Sequence, residues 1–395
     1  MAAAPGTSPA AAPGRSSWVQ SPGWDAFWMF SGIWGCGLLL LGSIIGPVIW
    51  IPFALLASAR GVSIAHAWST TYLVLFSPLL AEPRGEDRTR FVWIPLGLAI
   101  GCLALGWVVA STQRYGPDGR FTSDLWALSL YLGIFWIGHF WHFGSQDFGV
   151  LTIYRAKAGQ TQPIDRKLDR AYTATMMFLI QPVIYFSVIT TTAISEMAYT
   201  LLPISKPFMQ GAANIAVGVS LIVSVAIVTW ELRKKNRSIP KLLYILVIAF
   251  HPIILWGSVR AGSILLGQMY IFSYLFSHWL IAVGLVERIN TGFYRSAGDT
   301  SRFAILRHVA VIGALTGLVM WFTRPYGDYL LFNTDGFQYK QILASITPEQ
   351  VPVIGLVLGF FLGEQVLHYY SDRRLFRFRH ASVRRKVAPF LLGTP

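Results

Sequence analysis

The feature that most constrains this chain is a series of long apolar runs. Each is close to the ~20 residues needed to cross a hydrocarbon core as a helix. They begin at Ala26 and cover 26–45, 48–80, 91–111, 125–154, 173–202, 212–230, 241–259, 263–287, 304–322 and 351–371. Only 13% of residues are charged and the mean hydropathy is +0.52, whereas a soluble domain needs about 25% charged residues to cover its surface. The expected fold class is all-α: a polytopic integral membrane helical bundle of about ten transmembrane helices. This excludes most soluble enzymes, nucleic-acid readers and disordered scaffolds. The net charge of +14 does not imply a nucleic-acid partner, because the basic residues form short clusters between apolar runs, as in membrane proteins. Cys36 and Cys102 both lie in apolar runs and form neither a disulfide framework nor a CxxC motif.

Three regions follow. Residues 1–24, rich in Ala, Pro, Gly and Ser, are expected to be disordered, and they lack the basic start and apolar core of a signal peptide. Residues 25–372 form the transmembrane helical domain, and 373–395 a basic tail. Loops 82–90, 155–172, 231–241, 287–307 and 373–395 carry 24 of the 32 Lys and Arg residues, and the alternate loops only 6. The positive-inside rule places the first group, and both termini, in the cytoplasm. The tail from Arg373 to Lys386, with Leu375, Phe376 and Phe378 interleaved, is expected as an interfacial helix on anionic lipid. The loop 323–350 has the length for a small lid on the opposite side. No internal repeat is visible, so an inverted-repeat transporter gains no support.

Ionisable side chains inside crossings are expensive and mark functional sites by default. In the fourth run, His139, His142 and Gln146 follow an i, i+3, i+7 spacing that puts them on one helical face, with Asp147 one step round. Gly138, Gly144 and Gly149 would let a neighbour approach closely. The last run carries Glu364, His368 and Asp372 at i, i+4, i+8. A carboxylate one turn from a histidine can fix its tautomer for metal binding. Single histidines add His278, His251 and His66. Counted from the cytoplasmic ends, His142, His251, His278 and His368 can share a layer in the inner half of the bilayer. His66 joins it only if its helix starts near Val48. His308 and His380 fall in or beside basic segments and are set aside.

Imidazoles converging from several helices suit iron, copper or zinc, and the carboxylates favour non-haem iron. The expected metal ligands are His139, His142, His278 and His368. Gln146, Asp147, Glu364 and Asp372 would be the catalytic polar groups, orienting ligands, moving protons or holding water or oxygen. Haem on a bis-histidine site is a separate possibility. The alternative for each histidine is a hydrogen bond to a neighbouring helix. The spacing is not the HxxxH-plus-HxxHH pattern of membrane desaturases. Glu196, near the outer end of the fifth run, reads as an interface carboxylate.

At His142-Phe143-Gly144-Ser145-Gln146-Asp147-Phe148 the chain resembles the His-Phe-Gly-x-x-Asp motif of the bacterial membrane-bound β-carotene dioxygenases. His368 followed by Asp372 is similar to that family's final motif. The resemblance implies iron held by His142 and His368, with Asp147 and Asp372 in supporting roles, in a bacterial cytoplasmic (inner) membrane. The family's paired late histidines are matched by His278 alone, with Ala282 four residues on. Its early Pro-His-Gly element is absent, and His66 is the nearest stand-in.

The leading expectation is a metal-dependent membrane oxidoreductase acting on a lipid-soluble substrate such as a carotenoid, isoprenoid or fatty chain. Its partners would be membrane lipid and that apolar small molecule. The rivals are a non-enzymatic subunit or assembly factor of a larger membrane-protein complex, a haem-binding electron-transfer protein, and a transporter.

Overall fold

The computed structural model describes residues 17–45, 50–115, 121–123, 125–189, 206–261, 264–296, 309–319, 321, 349, 351–376 and 381–393. Glu196, His308, His380 and nearly all of the 323–350 loop lie outside the described residues, as do residues 1–16.

The described chain is helical apart from a three-residue hairpin pairing Gln113–Tyr115 with Phe121–Ser123. The helices are α1 (Pro22–Trp28), α2 (Ser31–Ile45), α3 (Trp50–Leu75), α4 (Ala81–Glu86), α5 (Ile94–Ser111), α6 (Leu125–Lys157), α7 (Pro163–Ala174) and α8 (Gln181–Ile189). They continue with α9 (Lys206–Leu232), α10 (Ile239–Ala261), α11 (Ile264–Tyr270), α12 (Ser277–Ser296), α13 (Val309–Val319), α14 (Val351–Leu375) and α15 (Ala381–Leu392). Wider π turns precede α5 and join α7 to α8 and α11 to α12.

Among the described residues, five helices are long and apolar enough to cross a membrane: Thr89–Ser111, Pro207–Leu232, Ile239–Ser258, Leu265–Ser296 and Pro352–Leu375. Two bent pairs, Pro22–Trp28 with Ser31–Gly42 and Ser63–Leu75 with Pro78–Glu86, raise the number to seven. The described residues thus form an all-α fold with helices apolar enough for a membrane, but they support fewer crossings than the ten expected from sequence. The shortfall has physical sources. Runs 173–202 and 304–322 extend into residues outside the described set. α6 is 33 residues long, about 50 Å at ~1.5 Å per residue, yet its own histidines, Gln146 and Asp147 dilute its apolar character.

Lipid supplies no hydrophobic force between helices, so close packing must hold them. The tightest seam joins α5 to α14. A Cβ built on Gly106 would collide with the backbones of Gly355 and Gly359, and one on Gly359 would lie 2.5 Å from the Leu103 Cα. Gly355, Gly359 and Gly363 repeat every four residues and form a flat stripe on α14. The Tyr131 hydroxyl donates to the Leu358 carbonyl at 3.0 Å, tying α6 to the same helix. Of the α6 glycines, Gly138 meets the Tyr369 ring and Gly144 meets Met177, while Gly149 has open space.

The basic segments gather at one end of the bundle. α6 stops at Gly159, whose φ of +67° only glycine adopts readily. Gln160 then donates to the Asn236 carbonyl at 3.0 Å, and Lys157 reaches toward Gly393. Phe390 of α15 packs onto Gly292 of α12, and Lys386 pairs with Glu82 at 2.9 Å. The Tyr370 hydroxyl donates to the Arg90 carbonyl at 2.7 Å, and Arg288 donates to Gln20 at 2.7 Å. The tail from 381 is therefore a helix docked on this end through buried Val383, Val387 and Leu391. Of the segment 1–24, residues 17–24 are held in place. Val19 is buried and its N–H donates to Asp25 at 2.9 Å.

Three cations and three carboxylates lock this end. Asp169 accepts from Arg155 at 2.7 Å and pairs with Lys241 at 2.9 Å, and Lys241 is fully buried. Glu231 pairs with Lys241 at 3.0 Å and Lys234 at 2.7 Å, and accepts from Gln160 and from the Ser238 N–H. Lys234 also pairs with Asp165 at 2.9 Å. Burial alone would push the Asp165 carboxyl up, but Lys234, the Trp230 indole N–H and Lys241 outweigh it and hold the group below its usual range.

Two predictions follow from packing and charge. Gly359→Leu is expected to cost roughly 1–3 kcal/mol or more by overpacking, seen as a lower melting temperature in detergent. Gly101→Leu, which has open space around it, is expected to leave that temperature nearly unchanged. The second concerns acid. A carboxyl whose folded pKa lies below its unfolded value of about 3.9 adds stability that is complete above that value. This stability is lost as pH falls through the folded pKa. Melting temperature should therefore drop below about pH 4, and Asp165→Asn should shrink that drop while lowering stability at neutral pH.

Candidate metal centre

Four helices supply the polar side chains around the candidate centre: α3 with His66 and Thr70, α6 with His142, Gln146 and Asp147, α12 with His278, and α14 with Glu364, His368 and Asp372. α3 begins at Trp50, the early start under which His66 shares the histidine layer. His66, His142 and His368 each offer a ring nitrogen, and the three nitrogens lie within 4.8 Å of one another. All three residues are buried, at 3%, 4% and 0% exposure.

The closest pair is His142 Nε2 and His368 Nε2, 3.1 Å apart. Two ligands at the ~2.1 Å typical of metal–imidazole bonds sit about 3.0 Å apart at right angles and about 3.4 Å apart at tetrahedral angles. The observed spacing falls inside that range, so the pair can bind one ion with little movement. The His66 and His368 ring centroids are 4.1 Å apart, and those of His66 and His142 6.0 Å. The Nδ1 of His66 is buried without a hydrogen-bond partner.

The rings are held from behind. His368 Nδ1 lies 2.8 Å from the Thr70 hydroxyl. When Nδ1–H donates to that oxygen, the Nε2 lone pair faces His142, as a ligand requires. Asp372 stands 3.6 Å from His368 Nδ1 and 3.8 Å from His142 Nε2, beyond direct hydrogen bonds but close enough to set the local potential. Tyr369 stacks on the His142 ring at 4.6 Å.

The other expected residues fall around this centre. His139 is ringed by aromatics, with Phe143 at 4.2 Å and Tyr274 at 6.2 Å between centroids, and is not in the triad. His278 stacks on Phe143 at 3.8 Å and its centroid is 6.3 Å from that of His142. Its Nε2 is buried without a partner, beside the triad rather than in it. His251 packs against Tyr274 at 5.3 Å. Gln146 donates to the His278 carbonyl at 2.9 Å and fastens α6 to α12. Asp147 accepts from the Tyr244 hydroxyl at 2.8 Å. The structure thus joins two of the four expected ligands, His142 and His368, to His66. Sequence reasoning missed Thr70, Tyr369 and Tyr244, which carry no metal-ligand signal. It also missed the Gly355-Gly359-Gly363 stripe, whose four-residue repeat stands in the sequence.

No protein-family model matches this chain, and no curated protein and no solved structure matches it. The likeness to the dioxygenases therefore rests on the two motifs alone.

Added Co²⁺ is expected to give ligand-field absorption bands with the purified protein, and Ala at His66, His142 or His368 to remove them. His139→Ala should keep them. Bands that survive all three triad substitutions would place the ion elsewhere.

Proposed function

We propose that the chain is a membrane-embedded, histidine-metal oxidoreductase acting on a lipid-soluble substrate, with non-haem iron as its resident ion. The observation that carries this reading is the buried convergence of His66, His142 and His368 from three separate helices. A site of three neutral nitrogens with carboxylates nearby suits divalent iron more than a soft-ligand metal. Iron would supply oxygen activation or one-electron chemistry there. The protein's own part is to hold the imidazoles, with Thr70 setting the His368 tautomer. Asp372 is placed to move a proton at His368 Nδ1, and Phe143, Tyr274 and Tyr369 exclude water from the site.

The same proposal includes ten crossings with both termini in the cytoplasm, in a bacterial inner membrane. The gathering of residues near 20, 82–90, 157–160, 236, 288–292 and 381–393 at one end supports it, because it requires an even number of crossings between successive basic segments. Carotenoids, isoprenoids and fatty chains are the substrate classes that such a dry, aromatic-lined site would accept.

Elemental analysis of the detergent-purified protein, with a visible spectrum on the same sample, tests the reading. The expected result is about one iron per chain without a Soret band. His142→Ala and His368→Ala should lose the iron and keep the helical circular dichroism. Thr70→Val, which removes the hydroxyl behind His368, should weaken metal affinity about 10–100-fold in a chelator competition. Full iron retention in both alanine variants, or no metal after anaerobic reconstitution, would end the proposal.

A further inference from the structure

The outer side of the candidate metal centre carries charge. Trp141, Tyr370 and Arg373 are the immediate sequence neighbours of His142, Tyr369 and Asp372, which form or flank the triad on α6 and α14. One residue turns a helix by about 100°, so the second set sits round the helix from the first. Trp141 and Arg373 are exposed where His142 and Asp372 are buried. The Arg373 guanidinium lies over the Trp141 ring at 4.8 Å, and that of Arg374 over the Tyr370 ring at 4.6 Å. The Tyr370 hydroxyl, donating to the Arg90 carbonyl, brings the π turn before α5 to the same corner.

Three arginines thus meet where α5, α6 and α14 come together, and the acids near them do not balance them. Asp87 pairs with Arg90 at 3.2 Å on the surface. Asp372 is buried and turned toward His142 and His368. Among the described residues, no carboxylate lies within ion-pair distance of Arg373, which meets the Trp141 ring instead. A stacked guanidinium has one face covered and keeps the N–H donors along its edge for a planar or tetrahedral anion.

The surface beside these charges is apolar. Ile137, one turn from Trp141 on α6, is 70% exposed, and Trp93, three residues after Arg90, is 62% exposed. Such a surface faces lipid, and a cation beside lipid is costly unless an anion answers it. An anionic phospholipid brings a phosphate to that position with its chains already against the apolar surface. A choline headgroup carries the same phosphate but adds a cation next to three arginines. We infer that this corner binds one anionic phospholipid, its phosphate on Arg373 and its chains along the exposed faces of α5 and α6.

The inference stands apart from the metal-centre reading, and metal content measured on the same samples reports that reading separately. Native mass spectrometry of the full chain in detergent tests it, with dioleoyl phosphatidylglycerol, dioleoyl phosphatidylcholine and inorganic phosphate as probes. Phosphatidylglycerol is expected to bind one per chain, about tenfold more tightly than phosphatidylcholine, and inorganic phosphate is expected not to displace it. Arg373→Gln should lower phosphatidylglycerol affinity about fivefold and leave phosphatidylcholine unchanged. The same change at exposed Arg233, just past the end of α9, should alter neither. Melting curves of both variants report folding, and the comparison of the three probes on the unaltered protein carries the test if Arg373→Gln fails to fold. Equal affinity for the two lipids, equal losses in the two variants, or displacement by inorganic phosphate overturns the inference, the last by making this a site for a free anion.

Discussion

The backbone-to-backbone seam between α5 and α14 is the contact on which the site depends. Inside lipid, two helices gain little from burying apolar side chains, since lipid tails are equally apolar. What remains is dispersion at short range, and that grows only when backbones approach. Gly106, Gly355 and Gly359 remove the side chains that would prevent it. The seam fixes α14 in both position and rotation, and α14 carries Glu364, His368, Tyr369 and Asp372. Rotation by one residue, about 100° on an α-helix, would turn His368 away from His142 and put the glycine stripe against lipid. The fixing of rotation follows from the glycines, and the placing of the imidazole follows from the rotation.

The opposite problem governs the basic end. There the chain buries charge, and burial is tolerable because each ion has a counter-ion and further hydrogen bonds. Lys241 touches both Asp169 and Glu231, while Lys234 bridges Glu231 and Asp165. These pairs link the end of α9 and the start of α10 to α7, and Arg155 ties α6 to the same carboxylate. Since α6 carries His142, the lock limits how far that helix can slide along its axis. One end of the site is thus held by glycine packing and the other by ion pairs.

Sequence alone made the helical membrane class legible, because long apolar runs with few charges have one physical solution in lipid. It also made legible the two motifs that supply His142 and His368, since their spacing is local to one helix. What it could not supply is how helices turn toward one another. His139 shares a face with His142 in the i, i+3 sense, yet only the His142 ring meets α14, and His139 turns into Phe135, Trp136 and Phe143. His278 reaches the same layer and stacks on Phe143. His66 has no partner in its own helix to mark it, and enters the triad because α3 begins at Trp50. The docking of the tail helix through Val383, Val387 and Leu391 was masked by its basic residues, which read as a lipid-surface helix when no receiving groove is known.

The bland reading of the triad is a histidine–histidine hydrogen bond, and the unmet nitrogen of His66 separates the two. At 3.1 Å, a bond between His142 Nε2 and His368 Nε2 needs one proton between them. If His368 supplies it, its Nδ1 is bare and Thr70 must donate. If Thr70 accepts from Nδ1–H instead, His368 Nε2 is bare and His142 must supply the proton. Either arrangement satisfies these three groups and leaves His66 Nδ1 buried without a partner. A cation among the three nitrogens removes the need for any shared proton, draws lone pairs from His142 and His368 at their present spacing, and gives His66 a reason to be buried beside them. A simple hydrogen bond accounts for two of the three imidazoles. A metal would account for all three.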